Sequence, residues 1–289
     1  MSSTDAYLQQ IHSAYPDLSV ALTNISLSGG QFSDVLILNE RLIFRFPKSA
    51  HASAELYPEI AILKALEGKL PLPIPRLLYI SERAPGQLAF MGYPMIPGQP
   101  LLRERFAAIT DETALEQIAS ELATFLKVLN ALPLDTIPSQ GETYDSRAEW
   151  QQTFANFEAQ LFPSMRPDAR QQITESFAAA LNDPSLWEFQ PVICHGDFGT
   201  GNILYADGHI TGVIDFTFCA VGDPAQDVGA LLASYGEAFI ERVFQHYPAL
   251  RLALPRARFI RSTYALWQAF YALRDGNQED FDDGMRDYV

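Results

Sequence analysis

Two short stretches of the sequence concentrate the groups that chemistry needs. Residues 192–204 read Val-Ile-Cys-His-Gly-Asp-Phe-Gly-Thr-Gly-Asn-Ile-Leu, and residues 212–216 read Gly-Val-Ile-Asp-Phe. Apolar runs flank each polar knot, which suits side chains whose positions must be fixed. Asp197, Asn202 and Asp215 all offer oxygen atoms. Phosphoryl transfer draws on such a set: one carboxylate to orient or accept the proton of an attacking hydroxyl, and hard oxygen ligands to hold Mg²⁺ against a triphosphate. Residues 203–204 and 213–214 pair as a hairpin around Asp207-Gly208, a strong turn signal. That pairing sets Asn202 and Asp215 side by side at the mouth of the hairpin. Asp197 is then the expected catalytic base, and Asn202 and Asp215 the expected Mg²⁺ ligands. A structural loop aspartate and two turn-stabilising side chains are the plainer alternatives.

These residues need a scaffold, and the pattern of the chain changes near residue 98. Before it, strand-like runs lie at 25–27, 35–38, 42–46, 77–80, 88–90 and 93–96. Ser28-Gly29-Gly30, Asn39-Glu40, Pro85-Gly86 and Pro97-Gly98 punctuate them as turns. One helix interrupts the strands over 54–66, with Leu56, Ile60, Leu63 and Leu66 at helical spacing and Glu59 among them. Gly68 and the prolines at 71, 73 and 75 mark its end. After Pro100, helices are predicted over 112–132, 148–161, 168–181, 227–233, 237–247 and 257–272. A strand region at 192–216 breaks that series. The expectation is an α+β protein of two lobes, residues 1–97 and 98–289, with the cleft between them as the default site.

Composition narrows the function classes. A chain of 289 residues has room for two domains of roughly 150 residues. Its 48% hydrophobic and 19% charged content supports a buried core and excludes disorder as the main theme. Lys and Arg number 20 against 35 Asp and Glu, a formal charge of −15. Nucleic-acid binding asks for the opposite sign. An acidic balance suits a cationic small molecule, or solubility alone. Cys194 and Cys219 are too few for a disulfide framework and read as reduced core residues. No basic leader and no apolar run of about 18 residues is present, so the expected protein is cytoplasmic, without a membrane and without an evident obligate protein partner.

His195-Gly196-Asp197, then Asn202, then Ile214-Asp215-Phe216, resembles the Brenner motif and metal-binding aspartate of the aminoglycoside phosphotransferase family, relatives of the protein kinases. Residues 43–48 (Ile-Phe-Arg-Phe-Pro-Lys), Glu59 and residues 70–75 (Leu-Pro-Leu-Pro-Ile-Pro) are similar to the 2''-phosphotransferases in particular, so the likeness spans nearly the whole chain. It implies a protein-kinase-like two-lobed fold, with a small β-rich N-lobe holding one embedded helix and a larger α-rich C-lobe. It implies an enzyme that moves the γ-phosphoryl of GTP or ATP to a hydroxyl of an aminoglycoside-type antibiotic or related amino sugar. By the same resemblance His195 braces the catalytic loop, and Asp223 and Asp227 support it, although helix N-capping is their plainer reading. Residues 28–33 look like a loop over the phosphates, giving Ser28, Gly30 and Ser33 as nucleotide contacts; a Gly-Gly pair is also an ordinary hairpin turn. Arg45 stands where the family commonly carries a lysine, and arginine can hold phosphate bidentately. Glu59 would pair with Arg45 and aim it, unless it sits on a solvated helix face. Lys48 is near in sequence, but strand alternation aims it the other way. Residues 93–98 resemble the hinge, with the Met95 and Ile96 backbone at the edge of the base and a bulky Tyr93 obstructing adenine in favour of GTP.

Tyr264, Trp267, Phe270 and Tyr271 recur at helical spacing, for which core packing is the favoured reading. The sharper reading sets Trp267 against a substrate ring, with Asp275, Glu279 and Asp280 binding a cationic acceptor; such a run is usually a solvated face. The 2''-type enzymes carry acidic residues after the helix that Asp227 begins, whereas residues 231–237 here read Leu-Leu-Ala-Ser-Tyr-Gly-Glu. A macrolide, or a metabolite of choline, homoserine or fructosamine type, is therefore an alternative acceptor. A non-catalytic nucleotide-binding module is a further alternative, and the intact trio of Asp197, Asn202 and Asp215 weighs against it.

Overall fold

Short apolar runs in the first hundred residues build a five-stranded antiparallel sheet. A computed structural model describes residues 3–18, 25–29, 33–84, 87–138 and 146–289. Gly30 and the Pro85-Gly86 turn lie outside the described residues. Helix α1 (Ser3–Ala14) precedes β1 (Ile25–Gly29), β2 (Ser33–Leu38) and β3 (Leu42–Pro47); α2 (Ala50–Leu66), β4 (Tyr79–Ala84), β5 (Gln87–Pro94) and β6 (Gln99–Pro100) follow. The strand order is β1-β2-β3-β5-β4. Asn39 and Glu40, in the turn between β2 and β3, both adopt a left-handed φ of 52°, as tight hairpin connections demand. The runs at 88–90 and 93–96 are parts of one strand region, since β5 is continuous to Pro94.

Helix α2 starts at Ala50, four residues before the expected start at residue 54. Ser49 caps it, its Oγ accepting from the Ala52 N–H at 3.0 Å. Leu56 and Ile60 pack with Leu88 and Met91 of β5. That contact buries the same helix face that carries Glu59, which is 1% exposed. Helix α1 was not expected from sequence because Ile11 is its one fully buried side chain. It is held by aromatic contacts instead, with Tyr7 stacked on Phe46 at 4.1 Å between ring centroids.

The chain divides into two compact units that do not follow sequence order. One comprises Met1–Leu101, Pro133–Ser139 and Gly201–Cys219; the other comprises Leu102–Leu132, Gln140–Thr200 and Ala220–Val289. The first unit thus includes a late hairpin, Ile203–Ala206 with His209–Val213, which pairs with β6. Its turn is the predicted Asp207-Gly208, at φ 50° and 88°, the positive values that a type I′ turn requires. Gly212 is needed for packing, because a Cβ there would meet Ile96 Cγ2 at 2.7 Å and the Pro73 carbonyl oxygen at 2.8 Å.

The second unit is mainly helical. Helices Glu112–Ala131, Ser146–Gln160 and Pro167–Asn182 lie where helices were expected, the first along its apolar stripe. The two predicted helices at 227–233 and 237–247 form one run, Ala225–His246, broken at Gly236 (φ 81°, ψ 175°). The helix expected over 257–272 is instead two, Leu254–Ser262 and Tyr264–Asp275, meeting at Thr263, whose hydroxyl bonds back to the Ile260 carbonyl at 2.7 Å. A further helix, Gln278–Met285, occupies the acidic run. The strand Val192–Cys194 pairs antiparallel with Ala220–Gly222. Cys194 and Cys219 are buried and form no disulfide among the described residues. Among the described residues, no helix is long and apolar enough to cross a membrane.

Candidate active site

Within the first unit, strand β3 delivers Arg45 and helix α2 delivers Glu59 to one buried point. Arg45 Nη1 donates to both Glu59 oxygens, at 2.9 and 3.0 Å. Burial opposes the Arg45 charge, but Glu59, Tyr93 and Asp215 together raise its pKa above the ordinary arginine value. Burial likewise pushes the Glu59 carboxyl up, against the pull of Arg45. Glu59 also accepts from the Phe216 N–H at 3.1 Å, and its Oε2 lies 3.1 Å from Thr217 Oγ1. So the α2 carboxylate ties the strand cation to the loop that follows the hairpin. Lys48 is directed elsewhere, its Nζ 3.7 Å from Asp34.

The hairpin sets the oxygen donors. Ile203 pairs with Val213, and one step beyond, the Ile214 N–H donates to the Asn202 carbonyl at 2.9 Å. Asn202 and Asp215 therefore leave the hairpin at the same end. Asp215 has a left-handed backbone, φ 64°, a conformation that non-glycine residues adopt at a cost and that clusters at functional sites. Thr217 Oγ1 donates to Asp215 Oδ1 at 2.6 Å, and Arg45 Nη2 lies 3.6 Å from the same oxygen. One carboxylate and one amide are hard oxygen donors. They suit Mg²⁺, which usually takes few protein ligands and completes its shell with phosphate oxygens and water. Among the described residues, no group of three His, Cys, Asp or Glu forms a closed metal cage.

The residues expected to contact nucleotide divide. Ser28 is exposed on β1. Ser33 is 3% exposed, and its hydroxyl lies 3.4 Å from Arg45 Nε. Tyr93, near the end of β5, is buried, and burial pushes its hydroxyl up to about 12 although Arg45 pulls the other way. The Met95 N–H already donates to the Arg41 carbonyl at 2.8 Å, so that donor is committed within the protein. The sequence reading missed Thr217. Its only signal is a hydroxyl two positions after an aspartate, the spacing of a local side-chain turn.

Within the second unit, the loop after Val192–Cys194 presents Asp197 at the surface. The residues around it are pinned. Phe198 is fully buried and stacks on Phe125 at 5.3 Å. His195 is fully buried, and its Nδ1 accepts from the Asp197 N–H at 3.3 Å. Asp227 accepts from the His195 and Gly196 N–H groups at 2.9 and 2.8 Å. Its burial pushes the carboxyl up to about 7, against those two hydrogen bonds. Ser234 Oγ accepts from the Thr200 N–H at 3.1 Å.

Asp223 lies just before the helix Ala225–His246 and accepts from the Ala225 N–H at 2.9 Å. It also forms a buried bidentate pair with Arg256, at 2.7 and 3.1 Å. Nothing in the pattern announced Arg256, which sits among apolar residues of a later helix. Trp267 stacks with Tyr271 at 5.2 Å and meets Phe157 edge-on at 5.2 Å, which is the packing reading. Asp275 pairs with its neighbour Arg274 at 2.9 Å, and Asp280 accepts from Asn277 Nδ2 at 2.6 Å. Glu279 is exposed in the first turn of Gln278–Met285.

Comparison with known proteins gives a consistent result. A model described as a phosphotransferase enzyme family matches residues 25–260. Viomycin phosphotransferase of Streptomyces vinaceus is 30% identical over 274 residues, covering 91% of this chain and 92% of that protein. Among solved structures, the GDP and kanamycin complex of APH(2'')-IIIa superposes with a TM-score of 0.88 at 27% identity, covering 97% of this chain and 96% of that one. The GDP complex of wild-type aminoglycoside 2'-phosphotransferase-IIIa superposes with a TM-score of 0.89 at 26% identity, over 99% and 97%.

Proposed function

The chain belongs to the APH phosphotransferase enzyme family, with its kinase-like fold, and is a phosphotransferase acting on an alcohol group; from that premise we propose that it moves the γ-phosphoryl of GTP to a hydroxyl of a cationic antibiotic. In this reading Asp197 orients the attacking hydroxyl and accepts its proton. Asn202 and Asp215 hold Mg²⁺. Arg45, aimed by Glu59, steadies the phosphates. A bound Mg²⁺ would supply charge neutralisation at the phosphate oxygens. The observation that carries the reading is the convergence, at one end of the hairpin, of Asn202, Asp215 and the Arg45–Glu59 pair.

Catalysis of this kind is mostly positioning and electrostatics, and each residue is held accordingly. Asp197 needs a fixed backbone, supplied by Phe198, His195 and Asp227. The phosphate-facing cation needs a fixed direction, supplied by two bonds to Glu59. GTP rather than ATP is supported by the GDP held in the similar structures and by the buried bulk of Tyr93. The acceptor class is supported by the kanamycin in one of those structures, by the viomycin relative and by the charge of −15. The use of a nucleoside triphosphate and the two reduced cysteines suit a cytoplasmic location.

The test is transfer of labelled phosphate from GTP or ATP to kanamycin, viomycin and a macrolide. Transfer from GTP to kanamycin or viomycin is expected. Label found only on the macrolide would move the acceptor to the second reading, which the scarcity of acid in residues 231–237 favours. Transfer from ATP alone would overturn the nucleotide assignment.

A further inference from the structure

We infer that Thr217 is a positioning residue that presents Asp215 to its cation and couples that carboxylate to the phosphate-holding arginine. The inference rests on the reading of Asp215 as a Mg²⁺ ligand. The Thr217 hydroxyl lies 2.6 Å from Asp215 Oδ1 and 3.1 Å from Glu59 Oε2, and the Thr217 N–H reaches Asp215 Oδ1 at 3.4 Å. A hydroxyl has one proton to give and two lone pairs, so it serves one carboxylate at a time. Glu59 already accepts from Arg45 Nη1 on both oxygens and from the Phe216 N–H. Asp215 has the shorter contact and, at φ 64°, a backbone that local sterics do not favour. The proton therefore belongs to Asp215.

The oxygen of the same hydroxyl faces Arg45 Nη2 at 3.5 Å. The resulting chain runs from the Arg45 guanidinium to the Thr217 hydroxyl to Asp215 Oδ1. A cation that holds phosphate and an anion that holds metal are thus oriented through one side chain. Hydrogen-bonded partners of metal-binding carboxylates fix their direction, and losing one typically weakens metal affinity about 10- to 100-fold.

The test compares the full-length wild type with Thr217→Val, Thr217→Ser and Asp215→Asn. Binding of a non-hydrolysable GTP analogue is titrated by calorimetry against Mg²⁺, and Mn²⁺ binding is read by electron paramagnetic resonance. In Thr217→Val the half-saturating cation concentration should rise about tenfold, with a smaller loss of metal-free nucleotide affinity and unchanged circular dichroism. Thr217→Ser should restore the wild-type value. Thr217→Ala carries the same expectation and replaces the valine variant should that one not fold. Wild-type cation dependence in the hydroxyl-free variant would overturn the inference. So would an equal loss of nucleotide affinity with and without metal, since Thr217 would then act through Glu59 alone. Cation dependence that persists unchanged in Asp215→Asn would instead show that Asp215 is no ligand, and both readings would fall.

Discussion

At the scale of single residues, the Arg45–Glu59 pair is the strongest electrostatic feature of the first unit. Both side chains are almost fully buried, at 7% and 1% exposure. Removing one partner strands a buried charge, which commonly costs about 3–5 kcal/mol. Glu59→Ala should therefore lower unfolding stability by that order in urea titrations, and it should raise the KM for GTP as Arg45 loses its direction. A variant as stable as wild type would show that water replaces the carboxylate. Asp227 makes a second prediction, with a defined sign. Its folded value of about 7 lies above that of an unfolded aspartate, near 3.9. A raised value means that the protonated form is favoured in the fold. Its contribution is complete below about pH 4 and is lost as pH rises through about 7. The stability advantage of wild type over Asp227→Asn should shrink between pH 5 and pH 8 in paired thermal melts; an advantage that grows would contradict the sign. The meeting of Arg45 with Glu59 was legible only through the family resemblance, since helix α2 also carries Glu55 and Lys64. Thr217 was not, because its contact depends on the left-handed turn at Asp215, and no residue pattern signals a positive φ at an aspartate.

At the scale of elements, the hairpin is the part that the sequence specified most fully. Asp207-Gly208 fixes the turn, the apolar run on each side fixes the register, and the register brings Asn202 and Asp215 to one end. Gly212 adds a constraint that only packing shows. Ala at this site would press against Ile96 and the Pro73 carbonyl, and overpacking of this kind costs about 1–3 kcal/mol. Gly212→Ala should lose that much stability by denaturant titration while keeping its far-UV spectrum. Stability equal to wild type would mean that the segment at 70–75 yields freely. Helix α1 and Gln278–Met285 escaped the periodicity reading for physical reasons. Helix α1 buries little of its own surface and is held by Tyr7 against Phe46. Gln278–Met285 is rich in acid, and its start is set by Asn277, whose side chain accepts from the Asp280 N–H. The division at Thr263 follows from a hydroxyl that bonds to its own preceding turn, a competition that an apolar stripe does not reveal.

At the scale of the whole molecule, fold class followed from the shift of pattern near residue 98, while the interleaving of the two units did not. A hairpin more than a hundred residues later joins the first unit through β6 and the Pro73 carbonyl. Such long-range pairing is decided by contacts, not by local composition. The charge of −15 also acts at this scale. An acidic surface concentrates cations, and salt screens that attraction over about 10 Å at 0.1 M ionic strength. The KM for a cationic acceptor should rise from 0.05 to about 0.5 M salt, by more than the KM of an uncharged acceptor. Equal responses would assign the charge to solubility alone. The most direct measurement is single-turnover transfer from GTP to the acceptor by wild type and Asp197→Asn. A loss of about 10³-fold in rate is expected, with nucleotide affinity and circular dichroism intact. A rate within about tenfold of wild type would contradict the role of Asp197 and the phosphoryl-transfer chemistry built around it.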